Sequence, residues 1–200
     1  YETNKINLLS NPTSLYAKQP TVYYGLMYLA KNAKKEVKIH TPYIICNDYM
    51  YNELKNIKVP TTIMTNSAEN NGNIFGAVDY LNHKKDIINT GVTIKEYEGG
   101  ISYHGKSMTI DDDIAIVGSF NMDMRSAYID TELMLVINSK DINKQLKASM
   151  EEYEKKAATV KNETEYSHIP EGMKMKELSD KKKNIKAWFG WAMNGLRFLF

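Results

Sequence analysis

The sequence predicts an α/β domain, a mixed β-sheet flanked by helices, with an amphipathic helix appended at the C-terminus. Three observations carry this. Through the first 100 residues, short β-type runs alternate with longer segments of helical period. Two apolar runs joined by Asp111-Asp112-Asp113 then read as a hairpin. The chain has 200 residues, 42% of them hydrophobic and 25% charged, enough for one packed core. Such alternation calls for helices packed on the faces of a sheet.

The elements follow in order. Residues 5–9 read as a strand closed by Ser10-Asn11-Pro12. Thr21 to about Lys34 reads as a helix, with Val22, Leu26, Leu29 and Ala33 on one face. Val37–Thr41 is a strand ended by Pro42. Asp48–Asn56 is a short helix capped by Asn47 or Asp48. Thr61–Thr65 is a strand, and Asn66–Asn73 a polar loop. Ile74–Ile88 is a helix stopped by Gly91. Val92–Tyr97 is a strand, Ser102–Ile110 and Ile114–Val117 the hairpin, and Thr131–Ile137 a further strand. Asp141 to about Ala158 closes the domain as a helix, giving a domain over 1–158.

Residues 159–183 are polar and without period, as a linker would be. Beyond Lys181-Lys182-Lys183, positions 185, 188, 189, 192, 193, 196, 199 and 200 are apolar and form a helical stripe, with Lys186, Asn194 and Arg197 off it. The run is too short and interrupted to span a bilayer, which needs about 20 residues. Both tryptophans lie here beside a basic cluster. Residues 184–200 are therefore expected to lie in a membrane interface. The alternative is a helix docked on its own domain or on a partner.

Charge is uneven. Residues 1–139 hold 13 Lys/Arg against 15 Asp/Glu, and residues 140–200 hold 13 against 9. A nucleic-acid binder concentrates positive charge around its site; here the surplus sits in the tail. Only Arg125 and Arg197 are arginine, the residue best suited to planar phosphate and base contacts. The single cysteine, Cys46, follows Ile44-Ile45 and reads as a small buried thiol. No disulfide can form within the chain, and no Cys/His cluster has metal-ligand spacing. The chain opens at Tyr1 and enters a strand-like stretch almost at once, as a cut through a longer protein would.

The chemistry concentrates in one string. His104, Lys106 and Asp111 stand as H-x-K-x4-D, and Gly118-Ser119-Phe120-Asn121 follows. A phosphodiester is attacked at phosphorus while its leaving oxygen is protonated, and imidazole can do either job near neutral pH. Lys106, two residues from His104 on an extended segment, points to the same side, where an ammonium would neutralise phosphate charge. Ser119 and Asn121 can donate to phosphate oxygens, and Gly118 lets the backbone pass close to a ligand. With these groups carrying the charge, no metal and no cofactor is expected.

The joint string resembles the HKD signature of the phospholipase D superfamily. The surrounding residues resemble its bacterial cardiolipin synthase-like members: His40-Thr41-Pro42-Tyr43 before the motif, Arg125-Ser126 after it, then Glu132 in Thr131-Glu132-Leu133. Asp130 departs from the pattern, where the synthases more often carry Asn. The resemblance covers roughly residues 5–155 and implies a phospholipase D-like fold. It implies His104 as nucleophile or general acid, Lys106 and Asn121 as phosphate binders with Ser119 assisting, and Asp111 as support for the motif. It implies that Glu132 accepts from the His104 ring and sets its tautomer, and that Arg125 and Ser126 hold the motif loop or meet a head group.

The superfamily's mechanism uses two facing HKD motifs. This chain has one, so the resemblance implies a second repeat upstream in a longer chain, or a homodimer. It further implies a phosphatidyltransferase at a bacterial membrane, with phosphatidylglycerol as substrate and a phosphohistidine intermediate. A nuclease or phosphodiesterase built from the same residues is the alternative, against which the charge distribution argues.

Overall fold

A computed structural model describes residues 2–13, 16, 18–192 and 195–199, with backbone alone for 188–192. In chain order the elements are β1 (Lys5–Ser10), α1 (Thr21–Lys31), β2 (Val37–His40), β3 (Ile44–Ile45), α2 (Asp48–Lys55), β4 (Thr61–Asn66), α3 (Ile74–Ile88), β5 (Thr93–Tyr97), β6 (Ser107–Ile110), β7 (Ile114–Gly118), β8 (Met122–Asp123), α4 (Met124–Tyr128), β9 (Leu133–Asn138), α5 (Lys140–Glu154), β10 (Ala157–Val160), β11 (Tyr166–His168) and α6 (Asp180–Ala192), with a 3-10 turn at Arg197–Leu199.

Among the described residues, one sheet of nine strands runs in the order β1-β9-β7-β6-β2-β4-β5-β10-β11. β2, β4 and β5 pair in parallel, joined through α2 and α3. The other pairings in this sheet are antiparallel, so the sheet is mixed, as expected. β3 and β8 form a separate parallel pair.

Alternation along β2 shows how the two faces are covered. Val37 and Ile39 enter the main core with Val22, Leu26 and Met27 of α1, Leu54 of α2 and Ile87 of α3. Lys38 and His40 point to the opposite face, where Glu151 and Glu154 of α5 meet them. Cys46 is fully buried, and burial pushes its thiol pKa well up, so it is the inert small thiol expected.

Several boundaries differ from expectation, each for a tertiary reason. α1 stops at Lys31, because the N–H groups of Lys34, Lys35 and Glu36 turn to the Asp111 carboxylate. The first arm of the hairpin begins at Ser107, not Ser102. α5 ends at Glu154, and Ala157–Val160, expected as helix end and linker, form a strand on the open edge of β5. Tyr166–His168, also expected as linker, extend the sheet, and the Tyr166 hydroxyl donates to Glu96 Oε2 at 2.5 Å. Small Ala157 and Ala158 fit against β5, a partner no local pattern shows.

The C-terminal helix starts at Asp180 and takes in the basic cluster expected before it. Lys182 and Arg197 turn inward, the latter donating to Asp79 Oδ1 at 2.6 Å and to the Cys46 carbonyl at 2.9 Å. The segment thus docks on its own domain through its polar side. Leu196, Phe198 and Leu199 remain exposed. Of the expected stripe, Trp188, Phe189, Ala192, Met193 and Phe200 lie outside the described side chains. Among the described residues no helix is long and apolar enough to cross a membrane.

Candidate active site

The site lies where β2, β4 and β7 end and β6 begins. Residues 102–106 precede β6 as an extended segment outside the sheet. His104 is exposed and Lys106 partly so. The Lys106 ammonium donates to His104 Nδ1 at 2.9 Å and to the His104 carbonyl at 2.8 Å. The Tyr43 ring stands edge-on to the imidazole, centroids 6.0 Å apart. The Lys106 carbonyl accepts the Gly118 N–H at 3.2 Å, so this arm ends beside Ser119.

Partial burial lowers the pKa of His104, and the neighbouring Lys106 charge lowers it further. Both effects favour the neutral ring, the form that can attack phosphorus. Burial also lowers Lys106, opposed by Glu132 and Asp123.

Gly118-Ser119-Phe120-Asn121 crosses from β7 to β8. A Cβ on Gly118 would meet the Leu133 carbonyl at 2.1 Å, so the close approach of β9 requires a glycine here. Ser119 is fastened to that strand: its N–H donates to the Leu133 carbonyl at 2.9 Å, and its Oγ accepts the Leu133 N–H at 3.1 Å. Asn121 Nδ2 donates one bond to Ser126 Oγ at 3.2 Å, and among the described residues its second N–H has no partner. Asn121 Oδ1 is buried without a partner.

Glu132 departs from expectation. Its two oxygens accept from the hydroxyls of Ser119 and Ser126, the latter at 2.7 Å, and not from the His104 ring, whose Nδ1 is engaged by Lys106. Ser126 is fully buried in α4 and joins Glu132 to Asn121. Its position is therefore that of a support behind the motif loop. Asp123 caps α4 by accepting the Ser126 N–H at 2.6 Å. Burial raises its carboxyl to about 6 against the Ser126 hydrogen bonds. Arg125 faces outward, with its Nε 3.0 Å from Asp130 Oδ2 and its Nη1 3.4 Å from the Leu199 carbonyl. Asp130, the departure from the family pattern, thus has a cationic partner.

Asp111 is the one motif residue that does not join this group. It sits at the far end of β6, roughly 16 Å of strand from Lys106 at ~3.3 Å per residue. Its φ of 52° makes the hairpin turn, and its carboxylate accepts the N–H groups of Lys34, Lys35 and Glu36. It braces the hairpin and cannot reach a phosphate held by Lys106.

Sequence reasoning missed Thr41 and Asn66. Thr41 Oγ accepts the Met122 N–H at 3.1 Å and so holds β8 against the end of β2. Asn66, expected to open a loop, ends β4 with its side chain on the backbone of Tyr103. No local signal marks either role, because their partners are 81 and 37 residues away.

Residues 26–153 match the family described as "Cardiolipin synthase, PLD-like domain". A cardiolipin synthase 1 of Staphylococcus epidermidis is 30% identical over 159 residues, covering 78% of this chain and 32% of that protein. The chain thus spans about a third of that relative's length. Among solved structures, a phosphatidylserine synthase of Haemophilus influenzae superposes with a TM-score of 0.67 at 17% identity, over 98% of this chain and 48% of that one. The phospholipase D family member Nuc from Salmonella typhimurium superposes with a TM-score of 0.62 at 16% identity, over 78% of this chain and 97% of that one. At these identities the superpositions show the phospholipase D-like fold.

Proposed function

The chain belongs to the family of cardiolipin synthase PLD-like domains, and from that premise we propose that it forms one half of the active site of a phosphatidyltransferase acting on phosphatidylglycerol. The observation that supports this reading is the His104–Lys106 pair standing beside the Gly118–Asn121 segment, which the Gly118 N–H joins to the Lys106 carbonyl.

The reaction runs in two displacements. The His104 imidazole attacks the phosphorus of a bound phosphatidylglycerol, a P–N bond forms, and the P–O bond to glycerol breaks. An imidazole of a second, facing motif gives its proton to the glycerol oxygen. The hydroxyl of a second phosphatidylglycerol then attacks the phosphohistidine and loses its proton to that same imidazole. The P–N bond breaks, His104 is regenerated and cardiolipin leaves. Lys106 and the second Asn121 N–H stabilise the equatorial oxygens, with the Ser119 hydroxyl beside them. The acid and nucleophile roles of the two imidazoles can exchange.

The second motif comes from another repeat of a longer chain or from a second copy. The threefold greater length of the staphylococcal relative supports the first. The exposed Leu196, Phe198 and Leu199 support the docked tail as the part that meets a bacterial membrane.

The test uses the full-length protein with phosphatidylglycerol vesicles and, in parallel, with DNA. Cardiolipin and free glycerol should appear in equal amounts, and His104→Ala should abolish both. DNA cleavage with untouched lipid would replace this reading with a nuclease.

A further inference from the structure

The catalytic imidazole follows a residue whose backbone is held by a single side chain. Asn66, 1% exposed, accepts the Tyr103 N–H on Oδ1 at 2.7 Å and donates from Nδ2 to the Tyr103 carbonyl at 2.9 Å. The amide thus satisfies both backbone groups of the residue before His104, as a neighbouring strand would. Its Nδ2 also donates to the Pro42 carbonyl at 3.2 Å, which fixes the amide itself. The loop that follows adds two tethers. Asn70 Nδ2 donates to the Ile101 carbonyl at 3.2 Å, and the Gly72 N–H to Ser102 Oγ at 3.2 Å. Residues 101–103 are therefore held from the end of β4, through Asn66, and from the loop 67–72 that follows it.

That loop is held in turn from the C-terminal helix. The ammonium of Lys182, 7% exposed, donates to the carbonyls of Ala68, Glu69 and Asn71 at 2.8, 2.6 and 3.0 Å. The Ser179 N–H donates to Glu69 Oε2 at 3.0 Å. A lysine with all three donors spent on one loop's carbonyls has none left for a ligand, and those carbonyls have no helix or strand of their own to pair with.

We infer that Asn66 and Lys182 are positioning residues for His104: Asn66, at the end of β4, clamps the backbone immediately before the imidazole, and Lys182 latches onto α6 the following loop, which tethers residues 101 and 102. This rests on the reading of His104 as the reacting group. It makes the C-terminal segment part of the catalytic architecture, although it lies outside the residues matched by the family.

The test is made on the full-length enzyme in phosphatidylglycerol vesicles with Asn66→Asp and Lys182→Met. Asn66→Asp keeps the shape and the acceptor but loses the donor to the Tyr103 carbonyl. Lys182→Met keeps the stem and loses the three donors. A misplaced reacting group costs up to ~100-fold, so kcat should fall roughly 10–100-fold in the first and about 5-fold in the second, with KM within about 2-fold. The second readout is the pH midpoint for modification of His104 by diethyl pyrocarbonate, resolved by peptide mass spectrometry. A released segment carries the ring away from the Lys106 ammonium and from its partial burial, so the midpoint should move up toward that of ordinary imidazole. The double variant should lose less than the product of the two single losses, because both residues hold the same segment, 101–103. Should either buried variant fail to fold, Ser102→Ala, which removes only the Gly72 tether, should move the midpoint the same way by less. An unmoved midpoint in the folded variants, or losses that multiply, would overturn the inference. A wild-type enzyme that makes no cardiolipin while the variants still shift the midpoint would instead overturn the proposed activity and leave the clamp standing.

Discussion

The Lys106 ammonium and the His104 imidazole are partners before any substrate arrives, with Nζ 2.9 Å from Nδ1. An ammonium can only donate, so Nδ1 is the acceptor and Nε2 carries the ring proton. A phosphate drawing Lys106 to its oxygens would release Nδ1. The charge of Lys106 also disfavours the imidazolium, so its removal should raise the His104 pKa. We expect Lys106→Met to lower kcat by about 10²–10³-fold through lost stabilisation of the phosphoryl oxygens. The acid limb of its pH–rate profile should lie at higher pH than in the wild type. An acid limb at the wild-type position would separate the two residues.

Gly118→Ala should be damaging without touching substrate. The new methyl would lie 2.1 Å from the Leu133 carbonyl and 2.9 Å from Met134 Cα, both backbone atoms that cannot swing away. β7 must then part from β9 beside Ser119. Overpacking of this kind costs about 1–3 kcal/mol. Thermal unfolding should report that loss, and kcat should fall ~100-fold as Ser119 leaves its place. Wild-type kcat at reduced stability would show that Ser119 does not need this strand.

Asp111→Asn should behave as a stability variant. Burial opposes ionisation of Asp111, but the three N–H groups of residues 34–36 outweigh it and hold its carboxyl below the usual range. Its stabilisation is therefore present above the unfolded carboxyl pKa and is lost as pH falls through the folded one. Asn tolerates the positive φ, so the substitution isolates the charge. We expect a loss of about 1–2 kcal/mol in denaturant titration. The kcat per folded molecule should remain within a few-fold. Loss of turnover in fully folded protein would return Asp111 to the chemistry.

Glu154 sets the acid stability of the sheet face opposite the main core. Burial raises its carboxyl, yet His40, Lys95 and Lys38 together bring it down to about 2 from an unfolded value of 4.5. The stabilisation is complete above about pH 4.5 and drains away as pH falls toward 2. It is on the order of 3 kcal/mol. His40 adds to the same trend: burial lowers its pKa against the pull of Glu154, so folding loses stability below the unfolded histidine value. Glu154→Gln should lower Tm at neutral pH and flatten the slope of stability between pH 4.5 and 2. An unchanged slope would place the acid sensitivity elsewhere.

How far the sequence could be read depended on the range of the interactions. The helices 48–56 and 74–88 are written locally, in a cap and a 3.6-residue period, and α2 and α3 occupy nearly those residues. The H-x-K-x4-D string is equally local, since two residues on an extended segment must share a side. The tail's two inward lysine and arginine contacts carry no such pattern, and neither does the strand Ala157–Val160, whose partner is β5.

By itself, then, the amino-acid order determined the family, the α/β class and the residues proposed to meet a phosphate, because periodicity and motif spacing reside in neighbouring residues. Tertiary structure alone decided which motif member is a brace, which hydroxyls Glu132 receives, and that Asn66 and Lys182 stand behind His104. Those outcomes depend on hydrogen bonds closed across 6 to 114 residues of chain, whose partners become neighbours only after the sheet has assembled.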